Sequence, residues 1–133
     1  MRALFLTFAL VVGFAFGAKA QGNDIQNVIG NQIEAFKVDD FDKAFTFASP
    51  SIQGIFRTPE NFGRMVAQGY PMVWRPADVE YLDLTDEAGV YRQKVMITDE
   101  SGRAHLLEYR MLETDNGWKI NGVQILEAAG IAA

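Results

Sequence analysis

No cysteine occurs among the 133 residues, and histidine occurs once. The first absence removes disulfides, thiol nucleophiles, redox pairs and thiolate metal sites. With a single histidine as well, no ligand set for a protein zinc site remains, and no spacing of acids and histidines provides for another metal. A G-x-S-x-G elbow, a phosphate-cradling glycine loop and a paired-histidine metalloprotease signature are also missing. There is no internal repeat and no low-complexity segment. No cofactor is implied. Without cross-links, an exported chain has to rest on its core alone.

What is present begins with a leader. The chain opens MRALFLTFALVVGFAFGAKAQ, with a positive Arg2, an apolar run from Ala3 to Phe16, and Ala18-Lys19-Ala20 ahead of Gln21. That order predicts a secretory signal peptide over 1–20, cleaved after Ala20. The run is shorter than the roughly 20 apolar residues of a spanning helix, and no later stretch reaches that length. The expected organisation is a leader, 1–20, and a single domain, 21–133, in the periplasm or secreted beyond it. Cleavage removes Arg2 and Lys19 and leaves 113 residues with ten basic against 17 acidic side chains, a balance of −7. Such a surface repels phosphate backbones, which excludes nucleic acid as a partner. A domain of this size buries well over half of its unfolded surface.

Residues 24–37 place Ile25, Val28, Ile29, Ile33 and Phe36 at helical spacing, with Asn23 or Asp24 as the cap. The stretch AFKVDDFDKAFTFASP then sets Asp39, Asp40 and Asp42 ahead of a second apolar stripe, Phe41, Ala44, Phe45 and Ala48. A carboxylate pair could do acid–base work. Connections between helices are solvated, however, and no basic residue adjoins the Asp39–Asp40 pair to tune it. Capping by Asp39 or Asp40 is the preferred reading, with Asp42 complementing the helix dipole. Ser49-Pro50 and Thr58-Pro59-Glu60 repeat the punctuation, so the first half is three or four short helices.

From residue 79 the period changes to two. VEYLDL, VYRQKVMIT, RAHLLEYRML and WKINGVQIL read as strands, parted by Gly89, Ser101-Gly102 and Asn116-Gly117. At the last turn both residues are expected to take positive φ. Alternation assigns Tyr91, Gln93, Val95 and Ile97, then His105, Leu107, Tyr109 and Met111, to the helix-covered face. A bulge near Asn121-Gly122 would bring Trp118, Ile120, Val123 and Ile125 to the same side. The expected class is α+β, with N-terminal short helices packed on a curved four-stranded antiparallel meander.

The segments VIGNQIEAFKVDDFDKAFTFASPSI, TPENFGRMVAQGYPMVWRPADV and GWKINGVQI resemble the domain of unknown function 4864 family of small exported bacterial proteins. The order of elements is similar to the nuclear transport factor 2-like superfamily. That resemblance implies a cystatin-like cone with a pocket at its mouth. It implies no activity, since the superfamily holds isomerases, dehydratases, hydrolases and binding modules alike.

Candidate pocket residues are Trp74, Tyr81, Asp83, His105 and Tyr109. Asp83 shares strand parity with Tyr81, the nearest approach to the tyrosine–aspartate pair of isomerases in that superfamily. His105 is either a general base or an ordinary strand-end residue beside the Ser101-Gly102 turn. GYPMVWRP is either a binding hot spot or a structural lid, with Trp74 filling the cone and Arg75 pairing with a surface acid. Leu82, Leu84, Leu106 and Leu112, on the supposed outer sheet face, suit a homodimer contact. No residue is assigned a catalytic role. A non-catalytic module that binds an apolar small molecule or a protein is therefore preferred over a small isomerase or hydrolase using Tyr81, Asp83, Tyr109 or His105.

Overall fold

The computed structural model describes residues 2–126, with side chains from residue 20 onward. Helix α1 (Arg2–Lys37) runs straight through the expected cap, so Asn23 and Asp24 lie inside it rather than at its start. Its apolar stripe is fully used: Ile25, Ile29, Ile33 and Phe36 are buried. The chain leaves α1 at Asp39, which takes a left-handed φ of +56°. Asp40, the next residue, caps α2 (Phe41–Thr46) by accepting from the Lys43 amide at 3.1 Å. Ser49 and Thr58 cap α3 (Pro50–Phe56) and α4 (Pro59–Gly69) in the same way. Each is followed by a proline, whose missing N–H costs nothing at the first helical position. A single turn, α5 (Pro71–Trp74), leads into the sheet.

Aromatic rings gather around Phe62. Its centroid lies 5.8 Å from Phe36, 5.4 Å from Phe45 and 5.8 Å from Phe56. The helix residue that follows Phe62 depends on having no side chain. A Cβ at Gly63 would stand 2.5 Å from the Phe41 ring, so the ring lies directly on the α4 backbone.

Strands β1 (Pro76–Glu87), β2 (Val90–Asp99), β3 (Ala104–Thr114) and β4 (Gly117–Ile125) form an open antiparallel meander in sequence order. Helices followed by this sheet make an α+β fold, as the change of period implies. Gln93, Val95, Ile97, Leu107 and Tyr109 have no accessible surface, and they face the helices as alternation assigns them. In the last hairpin only Gly117 takes positive φ, +96°, because Asp115 and Asn116 form the two-residue loop ahead of it. That differs from the Asn116-Gly117 pair expected at the turn.

Besides a register shift at the start of β1, where Pro76 faces Asp99 and Asp78 faces Thr98, two bulges shape the sheet. The first, in β1, was not foreseen: Tyr81 faces Val95 but Leu84 faces Gln93, so three steps of β1 match two of β2. The Gln93 side-chain amide holds the irregularity, donating to the Leu82 carbonyl at 3.0 Å and the Lys94 carbonyl at 2.9 Å. The second lies where expected. Arg110 pairs with Gly122 and Met111 with Ile120, which leaves Asn121 as the extra residue. Trp118 and Ile120 are buried and Val123 is partly so, whereas Ile125, opposite Leu107, stays 42% exposed.

The linker between α2 and α3 lies along β4. The Ser49 amide donates to the Ile120 carbonyl, and the Ile120 amide to the Phe47 carbonyl, both at 2.8 Å. Among the described residues no helix is long and apolar enough to cross a membrane.

Candidate functional site

Around the Asn121 bulge, side chains of α3 and α4 face those of β3 and β4. Between them lies a chamber of about 270 Å³. Its wall is mostly apolar, built from Ile52, Phe56, Phe62, Val66, Ile120 and Val123. Ile55, which is 68% exposed, and the exposed Arg110 stand at its rim.

Most polar groups around the chamber are already committed. The Tyr70 hydroxyl donates to the Val123 carbonyl at 3.1 Å, and the Gln32 amide to the Ala44 carbonyl at 3.1 Å. The Ser49 hydroxyl donates to Asn121 Oδ1 at 2.6 Å, which fixes the bulge to the α3 cap. Tyr109 is the exception. Its hydroxyl is fully buried and has no partner among the described residues. Burial pushes the phenol far above its ordinary pKa, with the nearby Tyr81 and Tyr70 adding to the effect, so it stays a neutral donor.

The five sequence candidates do not converge. Tyr109 alone lines the chamber. The Tyr81 hydroxyl is spent on the Gln26 carbonyl at 3.2 Å, tying β1 to α1 beside a separate recess of about 240 Å³. Asp83 lies exposed on the β1 bulge, and Leu84 takes the inward place expected of it, so the Tyr81–Asp83 parity does not hold. The same bulge removes Leu84 from the outer sheet face. Leu82 and Leu112 remain exposed there, Leu106 is half-buried, and an Arg92–Glu108 ion pair at 3.2 Å lies among them. His105 sits at the β2–β3 hairpin with Nε2 2.8 Å from Asp99 Oδ2. Hydrogen bonds from Ser101, then His105 and the Arg103 backbone, hold Asp99 well below the usual carboxylate range.

Trp74 does not fill the interior. Its indole N–H donates to Asp39 Oδ1 at 2.9 Å, and the Arg75 guanidinium stacks 3.9 Å over the indole ring. Arg75 Nη2 reaches both Asp39 oxygens at 3.1 Å, while Nη1 donates to the Phe36 carbonyl at 2.7 Å. The Trp74 hydrogen bond, followed by Arg75, outweighs partial desolvation and keeps Asp39 below its ordinary value. Asp39 is thus a fixed anion in a clasp, not a proton donor. The cation that tunes it lies 36 residues away in sequence, which is why adjacency could not reveal it. Arg110 and Asn121 were missed as site residues. A sequence signal existed only for Asn121, through the expected bulge.

A family model described as Domain of unknown function (DUF4864) matches residues 18–133. The chain belongs to that family. No curated protein and no solved structure matches it.

Proposed function

We propose that this DUF4864 protein is exported, matures to residues 21–133, and binds an apolar small molecule in the chamber behind β4. A largely apolar chamber of about 270 Å³ between the helices and the sheet carries this reading. The lining also argues against turnover. Among the described residues it includes no carboxylate, histidine, lysine or serine, and the candidate pair Tyr81 and Asp83 lies elsewhere. The leader and the acidic mature surface support a free periplasmic protein. Helices followed by a bulged meander with a chamber between them support the nuclear transport factor 2-like cone.

Native mass spectrometry of protein purified from the periplasm without detergent tests the proposal. We expect an adduct of a few hundred daltons that disappears in Ile52→Trp, whose indole would occupy the chamber. A bare wild-type mass, together with no fluorescence response to 1-N-phenylnaphthylamine, would overturn it.

A further inference from the structure

We infer that the chamber takes an amphipathic anion, an apolar body with a carboxylate head, and that Arg110 binds the head. The inference rests on the chamber being a ligand site and adds the class of ligand. By strand parity Arg110 belongs to the outer face, with Arg92 as its direct partner across the β2–β3 ladder. Like charges directly opposite are unfavourable. Arg92 resolves this by turning to Glu108, with Nη1 3.2 Å from Oε1. Arg110 turns the other way. Among the described residues it has no carboxylate partner, in a chain with more acids than bases.

The route it takes depends on Gly122. The Arg110 guanidinium lies where a side chain at Gly122 would begin, with Nη2 2.6 Å and Nε 3.1 Å from the position of a Cβ. The glycine, at φ +156°, and the extra residue Asn121 beside it open a notch in the edge strand. Arg110 is among the residues that line the chamber. A planar fork of N–H donors without a carboxylate partner, next to an apolar hole, suits a carboxylate head in bidentate contact. The size of the body follows from the volume. The chamber, about 270 Å³ and open at its rim, suits a short-to-medium-chain or compact aromatic acid.

The test compares octanoate with octan-1-ol as competitors of bound 1-N-phenylnaphthylamine, at constant ionic strength. In the wild type octanoate should bind at least about ten-fold more tightly than the alcohol. Arg110→Gln should abolish that preference and leave octan-1-ol affinity unchanged. Gly122→Ala, which obstructs the guanidinium's path, should weaken octanoate in the same direction, and Arg92→Gln should not. Arg110 is exposed, so the thermal midpoint of Arg110→Gln should match the wild type and separate lost recognition from lost folding. Equal affinity for acid and alcohol, or a preference that survives Arg110→Gln, overturns the inference while leaving the chamber as a binding site. No displacement by either compound, with no dye binding, overturns both.

Discussion

Two polar arrangements lie on either side of Phe36, and they treat their hydrogen-bonding groups in opposite ways. On one side, the Asp39–Trp74–Arg75 clasp gives both carboxylate oxygens, the indole N–H and the guanidinium a partner. On the other, the chamber leaves the Tyr109 hydroxyl without one, although it is the more deeply buried group. Burial raises the cost of an unmet hydrogen bond, so selection for stability alone would place the unmet group at the surface. The clasp fastens the end of α1 to the start of the sheet, while the Tyr109 hydroxyl, like Gln93 Oε1 at the β1 bulge, is buried without a partner among the described residues.

Breaking the packing on Phe36, which lies between the two regions, should have the largest effect. Phe62 is the centre of the aromatic cluster and part of the chamber wall. Phe62→Ala should lower stability by about 3–5 kcal/mol, read as a fall in the urea midpoint with an unchanged m-value. Gly63→Ala comes next, at about 1–3 kcal/mol, because the Phe41 ring has to move off the α4 backbone. If its urea midpoint stays at the wild-type value, the close ring-to-backbone contact is wrong.

Tyr109→Phe sharpens the comparison directly. Removing a hydroxyl that has no partner should be neutral or raise stability by about 1 kcal/mol. A clear destabilisation in thermal melts would mean the hydroxyl is satisfied, and the contrast with the clasp would collapse. The smallest effect is a pH dependence. Asp39 has a lowered folded-state pKa, so its contribution is fully present above the ordinary aspartate value and is lost as pH falls through the folded value. The melting difference between wild type and Asp39→Asn should therefore be constant near neutrality and shrink on acidification. A gap that widens in acid would contradict the assigned partners.

The fold was legible because its signals are local. Caps at Ser49 and Thr58, prolines after them, and alternation through residues 91–97 and 105–111 each depend on a few neighbouring residues. Two departures are local, the cap expected at Asn23 or Asp24 and the turn at Asn116-Gly117, and the others came where a distant partner decides the outcome. Nothing in VEYLDL marks which residue will be looped out, since the bulge is held by the Gln93 amide on the next strand. Asp39 looked untuned because Arg75 is remote in sequence. Tyr109 was legible as an inward residue, but that its hydroxyl would lack a partner depends on all the elements that surround it. Arg110 read as outward because alternation describes where a side chain starts, whereas its long stem carries the guanidinium across a glycine.

The seam between residues 47–49 and β4 bears on how the molecule behaves in a crowd. A meander has two free edges, and an unpaired edge offers any passing strand a template for aggregation. At β4 the backbone groups of Ile120 are already taken by Phe47 and Ser49, and the next residues are bent by the bulge. At β1 the other edge carries Pro76 and five acids, Asp78, Glu80, Asp83, Asp86 and Glu87. One rim is occupied and the other repels its own kind. Edge-to-edge pairing of two such sheets is thus disfavoured at both margins, in a chain that has no disulfide to hold it shut.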